Sequence, residues 1–315
     1  MSTEGPPVTL DGTAFLFPGQ GSQTAGMGRA FYDNWPEMRT TFDRLDAAID
    51  IDLREMCFDG TEAEIRRVSN TQPLLLTTGV SVYEAVRMRF GVKPALMAGH
   101  SLGHFSALAA SDALDPVATA SLTHERGRCM ERAAATDGPG TMISVLLSDP
   151  ETVEDACAAR DDVGVALYNA PKQTVISGTT EGVASVRATL EERTRTRFRE
   201  LDVGGAFHSP VMASAVDCVE DAMTEVTIRE ARVPIVSDVT GDTYTDPNVA
   251  RRDLTTQVTS SVDWVRAVEQ LREQGIERFV EFPPAGVLSN LVERIAPQAD
   301  CITLETPSDA REAFA

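Results

Sequence analysis

Nowhere in its 315 residues does the chain carry a run approaching the eighteen or so consecutive apolar residues of a membrane span. Its start, Met1-Ser2-Thr3-Glu4-Gly5, lacks the basic-then-apolar order of a secretory leader, so a cytoplasmic protein with no membrane association is expected. Five cysteines (Cys57, Cys129, Cys157, Cys218, Cys301) show no C-x-x-C spacing. That argues against a zinc site or a disulfide framework and leaves them as free, mostly buried thiols. Four histidines (His100, His104, His124, His208) form no H-E-x-x-H pattern, so no metal centre is expected. Positive charge is scarce: 28 Lys and Arg stand against 48 Asp and Glu, a formal net charge of −20. Such a balance opposes nucleic acid at long range, and an anionic substrate must be met by a local cationic site. Internal repeats and low-complexity linkers are absent, and only the first ten residues and the tail after Thr306 have the texture of disorder.

What is present is an ordinary globular composition, 42% hydrophobic and 24% charged, in a chain long enough to bury a large core. Apolar runs bounded by turn residues at Thr13 to Phe17, Ala95 to Gly99, Val233 to Ser237, Phe279 to Phe282 and Cys301 to Leu304 read as strands of a mainly parallel sheet, with helical crossovers between them. Between about Gly138 and Gly204 the order becomes β-α-β-β-α-β, the pattern of a small ferredoxin-like unit inserted into the larger α/β domain.

The chemistry concentrates in a few segments. Gly99-His100-Ser101-Leu102-Gly103 has the G-x-S-x-G spacing that holds a serine on a sharp strand-to-helix turn, and it follows an apolar run and precedes a small-residue helix. After the first strand comes Phe17-Pro18-Gly19-Gln20-Gly21-Ser22-Gln23. It lacks the lysine of a P-loop and the third glycine of a dinucleotide fingerprint. An amide from this segment, with the amide of Leu102, suits the oxyanion of a tetrahedral intermediate. His208 lies at a strand's exit, just ahead of Ser209 and Pro210, which suit a helix start, and is the best-placed base for Ser101. His104 and His124 fall inside helical stretches and read as structural or exposed, while His100 should point away from the nucleophile. No aspartate between Ser101 and His208 stands out as a third triad member. Arg126 interrupts an apolar helical stripe (Ala118, Leu122, Cys129, Met130, Ala133) and so requires a carboxylate, from the protein or from a ligand. The period-two arginines Arg193, Arg195, Arg197 and Arg199 form either a solvated edge or a docking face for an acidic partner.

These residues together resemble the malonyl-CoA:acyl carrier protein transacylase family, including the stand-alone acyltransferases of polyketide synthesis. The likeness runs from about Ala14 to Glu305. It is carried by Phe17 to Gln23, Thr71-Gln72-Pro73, Gly99 to Gly103, Arg126-Gly127, Phe207-His208-Ser209, Gln257, Val262-x-Trp264 and Pro284-x-Gly286-Val287-Leu288. Two positions depart from the pattern: His104 stands where glutamate is common, and Ser260-Ser261 where Asn-Pro is common. The resemblance implies an α/β-hydrolase-like large subdomain (10–136 and 206–306), a ferredoxin-like small subdomain (137–205) and a tail (307–315). It implies Ser101 as nucleophile, His208 as base, Gln20 and Leu102 as oxyanion amides, and Arg126 as holder of the malonyl carboxylate. It also implies a backbone carbonyl near Gln257 orienting the histidine, and Phe207 narrowing the pocket against an α-methyl branch. The implied partners are malonyl-CoA or a related thioester and an acyl carrier protein, with no metal or redox cofactor. The alternatives are transfer of an unusual acyl group between carriers and hydrolysis of misloaded thioesters.

Overall fold

The computed structural model describes residues 7–193 and 195–314. Its strands are β1 (Val8–Phe17), β2 (Val92–Gly99), β3 (Gly140–Leu146), β4 (Val163–Ala170), β5 (Gln173–Thr179), β6 (Arg197–Glu200), β7 (Ile235–Val236), β8 (Thr243–Tyr244), β9 (Val262–Asp263), β10 (Arg278–Glu281) and β11 (Asp300–Thr303). Six of them form one sheet in the order β11-β10-β1-β2-β7-β8, parallel throughout except for the last pair. Helices cover both faces, so the central strands are apolar on both sides. From β1, Phe15 and Phe17 enter the core beneath the helix Val68–Phe90, while Ala14 and Leu16 pack with Trp264, Val268 and Leu288 on the opposite face. The Val68–Phe90 helix is buried along nearly its whole length, which accounts for its lack of a polar stripe.

Register places the site. Leu16 lies beside Ala98 and Phe17 beside Gly99, so the loops after β1 and β2 leave the same edge of the sheet. That carboxyl edge is where open α/β sheets gather functional groups.

The second sheet runs β6-β3-β5-β4-β9, with β3 to β6 antiparallel and the helices Pro150–Cys157 and Thr180–Arg193 packed against one face through Ile143, Val145, Val165 and Ile176. This is the ferredoxin-like order expected from sequence. The fifth strand was not foreseen: β9 follows the large sheet's segments and pairs parallel with β4, while Ser261 Oγ donates to the Val165 carbonyl at 2.6 Å. A two-residue strand carries no period, so only the tertiary contact reveals it.

Three further expectations change. The tail after Thr306 forms the helix Pro307–Phe314, and Phe314 sets its ring 5.7 Å from Phe15 and 5.6 Å from Phe90. Val8 to Leu10, read as disordered, pair with Val92 to Pro94; residues 1–6 and residue 315 lie outside the described residues. The cysteines are not all free, because Cys129 and Cys218 form a disulfide with their Cα atoms 5.8 Å apart, leaving Cys57, Cys157 and Cys301 as thiols. The pair is 89 residues apart in sequence and meets because the helices Pro116–Thr136 and Val216–Thr224 pack together, which spacing rules do not see. No helix among the described residues is long and apolar enough to cross a membrane.

Candidate active site

Ser101 sits between β2 and the helix Leu102–Ala110 with φ 52° and ψ −109°. A non-glycine residue held at positive φ stores on the order of 1–3 kcal/mol of strain and persists only when its surroundings fix it. Close packing does so here. A Cβ on Gly99 would lie 2.0 Å from the Gly103 carbonyl, and one on Gly103 would lie 1.9 Å from the Phe17 carbonyl. Both glycines of the motif are therefore required for backbone contact, and the turn is pressed against the end of β1. The Ser101 N–H donates to Asp238 Oδ2 at 2.7 Å, and its carbonyl accepts from Gln257 Nε2 at 3.1 Å.

His208, also at positive φ (57°), comes from the loop after the small sheet. Its Nε2 lies 2.8 Å from Ser101 Oγ and its Nδ1 lies 2.8 Å from the main-chain carbonyl of Gln257. A carbonyl only accepts, so Nδ1 carries the proton and Nε2 presents its lone pair to the serine hydroxyl. Burial, reinforced by the nearby Arg126 charge, pushes the imidazole down to about 3, so it is neutral at pH 7. The orienting acceptor is a main-chain group, and for that reason no aspartate between Ser101 and His208 was distinguishable in the sequence.

Arg126 projects from the helix Pro116–Thr136 and is 1% exposed. Gly127 lets that helix touch the Val68–Phe90 helix, since a Cβ there would lie 2.5 Å from Ser69 Cα. The guanidinium donates from Nη1 to Gln72 Oε1 at 2.9 Å and from Nη2 to Gln257 Oε1 at 3.0 Å, and it stands 5.1 Å from the Phe105 ring centre. Among the described residues its hydrogen-bond partners are neutral amides, and Nε has none. Burial lowers its pKa to about 10, leaving it charged at neutral pH.

A cavity of about 70 Å³ brings Ser101, His208 and Arg126 together with Gln20, Leu102 and Phe207, and Met130, Met142, Leu167, Leu201 and Val203 supply apolar wall. Leu102 opens a helix, so its N–H lacks an intrahelical acceptor. Gly19 brings the Gln20 loop against the turn, for a Cβ there would meet the His100 carbonyl at 2.2 Å. On its other side His208 borders a wider, open groove of about 490 Å³ with Tyr168, Pro210, Ser260 and Ser261. His100 also lines the cavity, its Nε2 held 2.9 Å from Asn169 Oδ1 and its ring 5.6 Å from that of Trp264.

The remaining candidates lie elsewhere. His124 is half-buried with Nδ1 2.8 Å from the Ser69 carbonyl. His104 is fully buried behind the turn, its Nε2 2.6 Å from Tyr244 Oη and its Nδ1 3.3 Å from Asp238 Oδ1. Arg193, Arg195, Arg197 and Arg199 are exposed and do not reach the cavity; on β6, Arg197 and Arg199 face away from Phe198, which packs toward the helices. Glu125, Cys129 and Cys218 place three possible metal donors within 4.8 Å of one another, but the disulfide consumes the thiolates such a site needs. Asp238 escaped the sequence reading, and Gln72 entered it only within the Thr71-Gln72-Pro73 motif, without a role. Asp238 had a signal, as the first residue beyond the run Val233 to Ser237, at a strand's carboxyl end.

A serine on a strained turn, paired with a neutral histidine at the carboxyl edge of a parallel sheet, defines an α/β enzyme built for acyl chemistry. The chain belongs to the acyl transferase family, whose domain model matches residues 14–306. It is 34% identical to the malonyl CoA-acyl carrier protein transacylase of Bacillus subtilis (strain 168), covering 93% of each chain. It is 33% identical to that of Escherichia coli (strain K12), over 94% of this chain and 96% of that one. Among solved structures, a malonyl-CoA:acyl carrier protein transacylase from Xanthomonas oryzae pv. oryzae superposes with a TM-score of 0.93 at 34% identity, over 98% of both chains. A malonyl-transacylase in complex with its type II polyketide synthase acyl carrier protein superposes with a TM-score of 0.92 at 29% identity, over 96% of this chain and 98% of that one.

Because His208 stays neutral well below the usual histidine range, covalent modification of Ser101 by a small sulfonyl fluoride should change by less than about twofold between pH 7.5 and 5.5. An ordinary imidazole would lose about tenfold over that interval. A fall of that size, followed by stopped inactivation assays, would show His208 to be solvated and unperturbed.

Proposed function

We propose that this enzyme transfers a malonyl group from CoA to the phosphopantetheine thiol of an acyl carrier protein through an ester on Ser101. One observation carries the reading: the Ser101–His208 pair shares its cavity with a buried, charged guanidinium whose hydrogen-bond partners among the described residues are neutral amides. Desolvating a cation without a carboxylate is costly, and the arrangement is best explained by a ligand that supplies the anion. Two of the five guanidinium hydrogens are used by Gln72 and Gln257, leaving three for a malonyl carboxylate.

In this scheme His208 Nε2 takes the proton from Ser101 Oγ as the oxygen attacks the thioester carbonyl. The oxyanion is held by the N–H groups of Leu102 and Gln20. Collapse breaks the C–S bond, and the departing CoA sulfur receives the proton from His208. The carrier's thiol then gives its proton to His208, attacks the ester, and Ser101 recovers the proton as it leaves. Every proton passes through one imidazole, so the cycle needs no metal or redox cofactor. The acyl group occupies the small cavity and the pantetheine arm the wider groove beyond His208. Phe207 sets the width of the acyl cavity, and discrimination against one added methyl group is about 1–3 kcal/mol. We take residues 10–136 and 206–306 as the large subdomain and 137–205 as the small one, the site lying where they meet.

For the carrier, Arg197 and Arg199 supply the approach. Their alternation continues into Leu201 and Val203, which line the acyl cavity, so a cationic stripe on the exposed edge points toward the site. With a net charge of −20, the enzyme needs such a patch to receive an acidic partner.

Intact-mass spectrometry after brief exposure to malonyl-CoA should show one added malonyl group, absent in Ser101→Ala. Arg126→Ala should lower malonyl transfer about 10- to 100-fold more than acetyl transfer, the loss of a charge-assisted contact. Labelling that persists in Ser101→Ala refutes the ester, and equal losses for both donors return Arg126 to a structural role. The double reversal Arg197→Glu/Arg199→Glu should raise the carrier's KM several-fold with the rate of acylation from CoA unchanged; an unaltered KM dismisses the docking face.

A further inference from the structure

Asp238 is fully buried at the exit of β7 and holds the site together from behind. Its Oδ2 accepts from the Ser101 N–H at 2.7 Å and from Gln257 Nε2 at 2.8 Å, and its Oδ1 accepts from the same Nε2 at 3.0 Å. An ionised carboxylate can only accept hydrogen bonds. With the Ser101 carbonyl, which accepts from the same Nε2 at 3.1 Å, it therefore fixes the amide of Gln257 with the nitrogen inward, and the opposite end, Oε1, is left facing Arg126 Nη2. The same Gln257 lends its main-chain carbonyl to His208.

We infer that Asp238 is a positioning residue for acyl-group selection: it sets the orientation of the Gln257 amide that holds Arg126 in the cavity. The inference rests on the malonyl-clamp reading of Arg126. It goes further by locating the origin of that selectivity one residue behind the clamp, in a side chain that touches neither substrate nor Arg126. In Asp238→Asn one of the two oxygens facing Gln257 Nε2 becomes an N–H donor, so Nε2 keeps a single acceptor there beside the Ser101 carbonyl and meets a donor at the other position, which loosens the amide that holds Arg126. The remaining oxygen can still accept from the Ser101 N–H, so the nucleophile's turn persists.

The groups facing Asp238 from its neighbours are His104 from the helix behind the turn, Arg126 from the helix Pro116–Thr136, Asp253 from the helix Pro247–Thr256, Tyr244 from β8, and His100 beside Ser101. Burial raises the Asp238 carboxyl to about 6, while burial keeps His104 neutral, down at about 4, and Arg126 remains charged. The wild-type enzyme consequently offers a second route to the same test: protonating Asp238 turns one of its two acceptor oxygens into a donor and weakens its hold on Gln257.

The experiment compares kcat/KM for malonyl-CoA and acetyl-CoA in wild type, Asp238→Asn and Arg126→Ala, with Ser101 reactivity toward a sulfonyl fluoride as the measure of an intact nucleophile. Asp238→Asn should lose at least about tenfold more with malonyl-CoA than with acetyl-CoA, with Ser101 reactivity within about threefold of wild type. Equal losses for the two donors, or none, overturn the inference. Should the variant not fold, the wild-type malonyl-to-acetyl ratio decides: it should fall as pH drops from 7.5 to 5.5, and a constant ratio overturns the inference. Arg126→Ala separates the two claims. If it fails to discriminate between donors, the clamp reading falls; if it discriminates and Asp238→Asn does not, only the role of Asp238 falls.

Discussion

A desolvated positive charge governs the design of this site. Arg126 is the largest fully buried charged side chain among the described residues, and the molecule meets its charge with two amide oxygens, an aromatic face and, through Gln257, the carboxylate of Asp238. Charge and countercharge are thus separated by one neutral amide. That spacing leaves the guanidinium electrostatically supported yet chemically open, whereas a direct Arg–Asp pair would have closed it to a ligand. The surrounding hydrogen bonds follow from this constraint: Gln72 and Gln257 must present oxygens to Arg126, and Asp238 must accept.

Ser101 depends on a different constraint, backbone contact. Parallel pairing of β1 with β2 brings Phe17 beside Gly99, and the absence of side chains at Gly99 and Gly103 allows the turn to close onto the Phe17 carbonyl. Ser101 is forced into positive φ by that closure and aimed at His208. The two constraints meet at Gln257, whose side chain serves Arg126 and Asp238 while its main chain serves His208. A change at this one residue would be felt at Arg126 and at His208 alike.

Much of this was legible in the sequence because it rests on local pattern. Glycine spacing announced the turn at Ser101, apolar runs announced the parallel sheet, and Arg126 declared itself by interrupting a helical stripe. Illegible features were those created by tertiary contact between short or distant pieces. The β9 strand is two residues long, the Cys129–Cys218 pair is joined across 89 residues, and the helix Pro307–Phe314 owes its order to Phe15 and Phe90. Asp238 was passed over because it lies beyond His208, outside the interval from Ser101 to His208 in which a triad acid was expected. Its carboxylate instead serves a backbone N–H and an amide, and His208 is oriented by a carbonyl that every residue possesses.

The central claim is that one cavity joins an acylated serine to a carboxylate-binding arginine. A crystal structure of the Ser101→Ala enzyme soaked with malonyl-CoA addresses it most directly. The malonyl carboxylate should lie within hydrogen-bonding distance of Arg126, with the thioester oxygen directed at the Leu102 and Gln20 amides. A carboxylate found in solvent, with Arg126 untouched, would contradict it.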